Sequence, residues 1–209
     1  MNPDSGGPDK SLSFRSFVLT LSDKKSIRQR AFALRDAISP EVRSLKGERI
    51  KNALIALDAF DKASSVMLFA SFRSEVDTFK IISHCLSKEK RTVLPKSDAD
   101  NCRLLLYEIK SMDELVKGYF GIPEPEVSAD RLILIEDIEF ILVPGVAFDS
   151  KCNRVGYGKG FYDRLLSRRT APAFALAYEE QIFDSVPTDK YDVMLDGIIT
   201  DERVIRCNG

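Results

Sequence analysis

"SVMLFA" (residues 65–70) is, after its first serine, a continuous apolar run in a chain that reads as helix from about residue 23 up to that point. A strand with one wet face alternates; a strand covered on both faces has no need to. Upstream, Ser22 or Asp23 can cap a helix over about residues 23–38, with Ile27, Ala31, Leu34 and Ile38 at i, i+4, i+7 and i+11. "SPE" (39–41) is a restart, with Ser39 as N-cap, Pro40 at the first helical position and Glu41 in the first turn. This second helix is predicted to reach about Phe60, with Val42, Leu45, Ile50, Ala53, Leu54 and Leu57 facing inward. Beyond "SVMLFA" the alternation continues. Helical spacing returns in "DTFKIISHCLSK" (77–88), then "RTVLP" (91–95) and "CRLLLYEI" (102–109) read as strands. "DELVKG" (113–118) reads as a short helix closed by Gly118, and "GIPEPEVS" (121–128) as a stiff extended loop. "FILVPGVAFD" (140–149) is the most apolar strand; a helix over about 160–168, a strand "AFALAY" (173–178) and "DGIITDERVI" (196–205) complete the chain. Helices alternating with short apolar strands predict an α/β fold around a mostly parallel sheet, with ligands outside the carboxyl ends of its strands.

The 209 residues include 31 basic and 32 acidic side chains, for a formal net charge of −1. Proteins that bind nucleic acid or membrane surfaces usually carry a basic excess, so neither partner is expected. No apolar run reaches the roughly 18 residues of a membrane span, and the N-terminus lacks the apolar core of a signal peptide. Residues 1–20 are expected to form a flexible tail and residues 21–209 a single domain. Cys85, Cys102, Cys152 and Cys207 include no C-x-x-C pair, which argues against zinc, and scattered thiols fit a reducing cytosol. A soluble, cytoplasmic protein is expected. The single histidine, His84, removes the Ser-His-Asp triad and is assigned a structural place.

Chemistry concentrates in "NRVGYGKGFYDRLL" (153–166), where Gly156, Gly158 and Gly160 alternate with Tyr157 and Lys159 ahead of a helix. A dinucleotide fingerprint needs its third glycine where Phe161 stands, and a Walker loop needs a leading glycine where Asn153 stands. Neither motif is present. Capture of an anion is still served: glycines let backbone N–H groups approach closely, the helix start adds its amides, and Lys159 and Arg154 supply charge. A mobile hairpin turn is the plain alternative, and the flanking Arg154, Lys159 and Asp163 weigh against it.

The longer block "PGVAFDSKCNRVGYGKGFYDRLL" (144–166) closely resembles the signature of the 5-formyltetrahydrofolate cyclo-ligase family, also called methenyltetrahydrofolate synthetases. Four more segments resemble the family in order: "KKSIR" (24–28), "SFRSEVDT" (71–78), "LAYEEQ" (176–181) and "YDVMLDGIIT" (191–200). The resemblance implies a three-layer α/β/α fold with a mainly parallel sheet, of the CoA-transferase-like kind. It further implies ATP as co-substrate, Mg²⁺, and conversion of 5-formyltetrahydrofolate to 5,10-methenyltetrahydrofolate with release of ADP and phosphate. A reduced folate, with or without a polyglutamate tail, is the expected partner of a monomeric enzyme.

By the same resemblance Lys24, Arg28, Arg154, Val155, Gly156, Tyr157, Gly158, Lys159, Gly160, Phe161 and Tyr162 bind ATP, with Lys159 and Arg154 catalytic. Ala70, Glu75, Tyr157, Phe161 and Tyr162 are implied for the folate, Glu75 accepting two hydrogen bonds from the pterin edge. Asp163 and Asp192 are implied for the metal, since Mg²⁺ takes hard oxygen ligands, and Asp196 competes with Asp192 for that place. Each has a plainer reading. Lys24 and Arg28, four apart, suit a solvated helix face; Phe161 and Tyr162 suit core packing; Asp163 suits a helix-dipole partner; Glu75 suits a lead into a helix. Two positions depart from the family pattern: Tyr191, where histidine is common, and Phe161, where tyrosine is commoner. Rival functions are a non-catalytic nucleotide or folate binder, which would be marked by loss of Lys159, Asp163 or Asp192, and a nicotinamide-dependent oxidoreductase, which needs the missing fingerprint.

Overall fold

A computed structural model describes residues 23–207. The tail expected over residues 1–20, and Ser22 as an alternative cap, lie outside the described residues. In chain order the elements are α1 (Lys24–Asp36), α2 (Pro40–Ile55), α3 (Asp58–Lys62), β1 (Ser65–Met67), α4 (Phe79–Ser87), β2 (Arg91–Asp98), β3 (Arg103–Ile109), β4 (Leu115–Lys117), β5 (Pro123–Pro125), β6 (Leu132–Ile133), β7 (Phe140–Val143), β8 (Ala147–Asp149), β9 (Arg154–Val155), α5 (Phe161–Leu166), β10 (Ala173–Leu176), β11 (Ile182–Phe183), β12 (Gly197–Ile199) and β13 (Val204–Arg206).

The main sheet has eight strands in the order β13-β12-β10-β7-β1-β2-β3-β6. Its middle is parallel, from β12 through β10, β7 and β1 to β2. β13 and the β3–β6 pair run antiparallel at the two margins. The apolar runs now have their explanation, because alternate residues feed two separate cores. Val66, Leu68, Leu94, Phe140, Leu142, Phe174, Leu176 and Ile199 pack with Ile50 and Leu54 of α2, Phe60 of α3 and Ile81, Ile82 and Cys85 of α4. Met67, Val93, Ile141, Val143, Ala173, Ala175 and Ile198 point the other way, toward Phe148 and Leu166 of α5. A strand that fills a core on each face has no polar position to offer. The expected α/β architecture with a mainly parallel sheet is present, although the second outer layer is one short helix supplemented by loops.

Asp23 and Ser39 cap α1 and α2 through side-chain oxygens that accept from Ser26 N (2.7 Å) and Val42 N (3.3 Å). Four local expectations need correction. The stripe on α1 is Ile27, Ala31 and Arg35, at i, i+4 and i+8, whereas Leu34 is 39% exposed. Val42 and Leu45, read as inward-facing, are exposed, and α2 stops at Ile55 with α3 as a separate piece. "DELVKG" is no helix closed by Gly118. It forms a 3-10 turn and β4, which pairs with β5 inside the supposed loop, and a Cβ on Gly118 would lie 2.3 Å from Glu124 Oε2. Finally, the scattered cysteines are not all free thiols: Cys152 and Cys207 form a disulfide. A bridge across 55 positions stabilises by about 4 kcal/mol in the chain-entropy picture.

The chain leaves β1 toward β2 on one side, while β7, on the other side of β1, leads on to β10. Strand order therefore reverses between β1 and β7, and the carboxyl ends there leave a crevice suited to a ligand.

Candidate active site

At that crevice lies a cavity of about 1270 Å³. Its walls are Phe69 and Ala70 after β1, Pro144 after β7, Pro95 and Ser97 of β2, one face of α1, and the loop ahead of α5. Tyr119 and Phe120, at the tip of the β4–β5 hairpin, reach the cavity from a third direction. Of the residues singled out in the sequence, Lys24, Arg28, Ala70, Glu75, Arg154, Gly156, Tyr157, Gly158, Lys159, Gly160, Phe161, Tyr162, Asp163 and Asp192 all border it. Val155 does not; its side chain is buried in a small core with Ile27, Ala31, Val146, Ala147 and Val186. Asp196 is elsewhere too, accepting from Arg169 at 2.6 Å and from Ala173 N at 2.7 Å, which separates it from Asp192.

The glycine loop is tied down at its base. Arg28 Nε donates to Gly156 O at 2.7 Å. Gly158 has φ +100° and Gly160 φ +66°, backbone that a side chain would strain. α5 spans only six residues, so the helix start contributes less to anion binding than the sequence suggested. The cations do more. Lys159 is exposed and its Nζ has no partner among the described residues. Arg154 is almost fully buried, with Nη2 on Asp163 Oδ1 at 2.8 Å, Nη1 on Pro144 O at 3.2 Å, and its guanidinium 5.8 Å from the Tyr162 ring centre. Its Nε–H is buried without a partner among the described residues.

On the carboxylate side, Asp163 Oδ1 also accepts from Val193 N at 3.4 Å, which brings Asp192 beside it. Lys24 Nζ bridges Asp189 (2.7 Å) and Asp192 (2.5 Å). Partial burial alone would lower the Lys24 pKa, but these two carboxylates outweigh it and hold the ammonium charged. Two hard-oxygen side chains stand at the cavity edge, each already holding a cation, Arg154 on Asp163 and Lys24 on Asp192, and carboxylates of this kind are what Mg²⁺ takes.

Glu75 lies in the loop between β1 and α4, which Thr78 braces: its hydroxyl donates to Phe69 O at 2.6 Å and accepts from Ser71 N at 2.8 Å. Glu75 Oε2 accepts from Phe72 N at 2.8 Å and Oε1 from the Tyr157 hydroxyl. Burial pushes its carboxyl above the ordinary range, against the pull of those hydrogen bonds and of Arg35. Arg35 is the residue that sequence reading missed. It is 3% exposed, and its Nη1 donates to Tyr157 Oη at 3.3 Å. The signal was a charge at the buried period of α1, four residues past Ala31.

The comparisons with known proteins agree on one family. The model of the 5-formyltetrahydrofolate cyclo-ligase family matches residues 20–201. The chain belongs to that family. It is an enzyme, a ligase of folate one-carbon chemistry. The Escherichia coli K12 5-formyltetrahydrofolate cyclo-ligase is 30% identical over 185 residues, covering 85% of this chain and 98% of that protein. The mouse protein of the same name is 26% identical over 88% of this chain and 97% of its own length. Among solved structures, the Aquifex aeolicus 5,10-methenyltetrahydrofolate synthetase is similar with a TM-score of 0.79 and 36% identity, covering 89% of this chain and 93% of that one. A Mycoplasma pneumoniae synthetase matches with a TM-score of 0.70 at 25% identity, covering 86% and 99%. Among the described residues of this cyclo-ligase, no helix is long and apolar enough to cross a membrane.

Proposed function

We propose that this cyclo-ligase uses ATP to close the ring of 5-formyltetrahydrofolate, giving 5,10-methenyltetrahydrofolate, ADP and phosphate. One observation carries the reading: Lys24, Arg28, Arg154 and Lys159 converge with Asp163 and Asp192 on the cavity that also holds Glu75. A formamide oxygen is a poor leaving group, so ring closure needs that oxygen activated. The formyl oxygen attacks the γ-phosphorus, the bond to the bridging oxygen breaks, and ADP leaves. N10 then closes on the activated carbon and gives its proton to solvent or the departing phosphate, and the C–O bond breaks to release phosphate. Such a transfer asks the protein for alignment and charge neutralisation rather than for a nucleophile. In this reading Lys159 and Arg154 face the transferring phosphoryl group, while Lys24 and Arg28 hold the remaining phosphates with the loop amides. Asp163 and Asp192 would hold Mg²⁺, which when bound offsets phosphate charge. Glu75 orients the pterin, with Ala70, Phe161 and Tyr162 around it.

The test is absorbance of the methenyl product from purified protein with ATP, Mg²⁺ and 5-formyltetrahydrofolate. Product is expected only with ATP present. Product without ATP, or none with all three components, overturns the reading.

Glu75→Gln is expected to weaken folate binding by tenfold or more, since an amide cannot accept both pterin donors and a hydrogen bond to a charged group is worth about 1.5–3 kcal/mol. Acid should act similarly. Because burial raises the Glu75 pKa, the carboxylate is lost at a pH above the usual carboxyl range, and folate KM should begin to rise there as pH falls. The same shift has the opposite sign for stability. A raised carboxyl pKa favours the folded chain at low pH, and that contribution disappears as pH rises through the raised value. A folate KM that is flat down to the ordinary glutamate range removes Glu75 from recognition.

A further inference from the structure

Glu75 is already engaged by protein donors at the cavity wall. Phe72 N–H reaches Oε2 from within the same loop, at 2.8 Å. The donor to Oε1 comes from elsewhere: it is the hydroxyl of Tyr157, eighty-two positions along the chain and mounted on the glycine loop. A phenol has one proton to give. Arg35 Nη1 donates to the phenol oxygen at 3.3 Å, so that proton is directed to Glu75. Arg35 is itself fixed, with Nε on Ser74 Oγ at 2.9 Å and Ser74 bound to Asp36. The Tyr157 ring rests on Phe32 with centres 5.8 Å apart, yet stays 49% exposed on the cavity surface. Tyr157 thus approaches Glu75 from the cavity side, where a ligand must also approach.

We infer that Tyr157 is a built-in plug: its hydroxyl occupies the Glu75 oxygen that the two-donor edge of the pterin takes over, so folate binding frees the glycine loop. This rests on Glu75 as the folate anchor. Arg35 is then a positioning residue, since it acts on Glu75 through Tyr157 and gives the displaced phenol oxygen a donor to stay with. The loop has the means to respond, because Gly156 and Gly158 flank Tyr157 and Lys159 follows at once. Folate arrival therefore changes the constraint on the segment that meets the phosphates. We take the released loop to be the form that closes on the phosphates; coupling is reciprocal, so nucleotide then raises folate affinity by the same factor.

The experiment titrates 5-formyltetrahydrofolate into the wild-type protein, Tyr157→Phe and Glu75→Gln, each with and without Mg²⁺ and a non-hydrolysable ATP analogue. Phenylalanine keeps the ring on Phe32 and removes only the hydroxyl, and a thermal melt verifies that the fold is kept. Without nucleotide, Tyr157→Phe is expected to bind folate about five- to tenfold more tightly, the worth of one competing hydrogen bond. The extra affinity conferred by the nucleotide analogue should shrink in the same variant. Weaker folate binding by Tyr157→Phe would make Tyr157 a direct folate contact, and unchanged binding would leave it a bystander; either overturns the plug. Glu75→Gln separates the two readings. Loss of folate binding there keeps the anchor whatever Tyr157 does, whereas unchanged binding removes the anchor and the plug with it.

Discussion

Lys159→Ala is expected to lower turnover by about 10²- to 10³-fold, the scale seen when one preorganised charge-stabilising group is removed from a reacting centre. The variant should fold normally. Lys159 is exposed and its ammonium has no partner among the described residues, so truncation breaks no hydrogen bond or ion pair there. A large kinetic loss without a stability loss marks a group held in reserve for the ligand. Methenyl formation at saturating ATP measures the first, and a thermal melt the second. Activity equal to wild type would remove Lys159 from the site.

Asp163→Ala should damage both properties at once. Among the described residues Asp163 is the one carboxylate bonded to Arg154, whose side chain is only 3% exposed. Removing the partner of a buried charge costs about 3–5 kcal/mol. Asp163 is itself 23% exposed, which places the cost near the lower end, about 3 kcal/mol. For a chain of this size that corresponds to a Tm lower by roughly 6–12 °C. Activity should be lost as well, because Asp163 is proposed to hold Mg²⁺. Asp163→Asn distinguishes the two roles: it keeps an acceptor for Arg154 and should recover most of the Tm, but not the activity. A variant with wild-type stability would show that Arg154 has another partner.

The central sheet was legible because its strands serve two cores, which left runs such as "VMLFA" and "FILV" with no polar position. The caps at Asp23 and Ser39 were legible because an N-cap is local chemistry. Tertiary neighbours decided the rest. Leu34, Val42 and Leu45 carry an apolar pattern that the fold leaves in water, while Arg35 goes inside since Ser74 and Tyr157 wait for it. Spacing did not announce the β4–β5 hairpin, whose two strands have three residues each and depend on Gly118 passing against Glu124. The Cys152–Cys207 bridge was invisible for a similar reason: its partners meet only after the last strand has folded back along the sheet margin. The candidate site was read through resemblance far more than through spacing. Lys24 and Arg28, four apart on a helix, would otherwise pass as surface charges. The resemblance favoured Asp192 over Asp196, and of the two only Asp192 borders the cavity.

α1 carries Lys24, Arg28 and Arg35 along one rod of about 20 Å. It contributes to neither of the two sheet cores; Ile27 and Ala31 dock it on a small separate cluster. Its grip on the body of the enzyme is therefore weak for the charge it bears, and its amides should exchange with deuterium sooner than those of α2 or α4. If Lys24 and Arg28 hold the nucleotide's phosphates as proposed, the bound anion would stitch the rod to the sheet, and the cargo would complete the architecture.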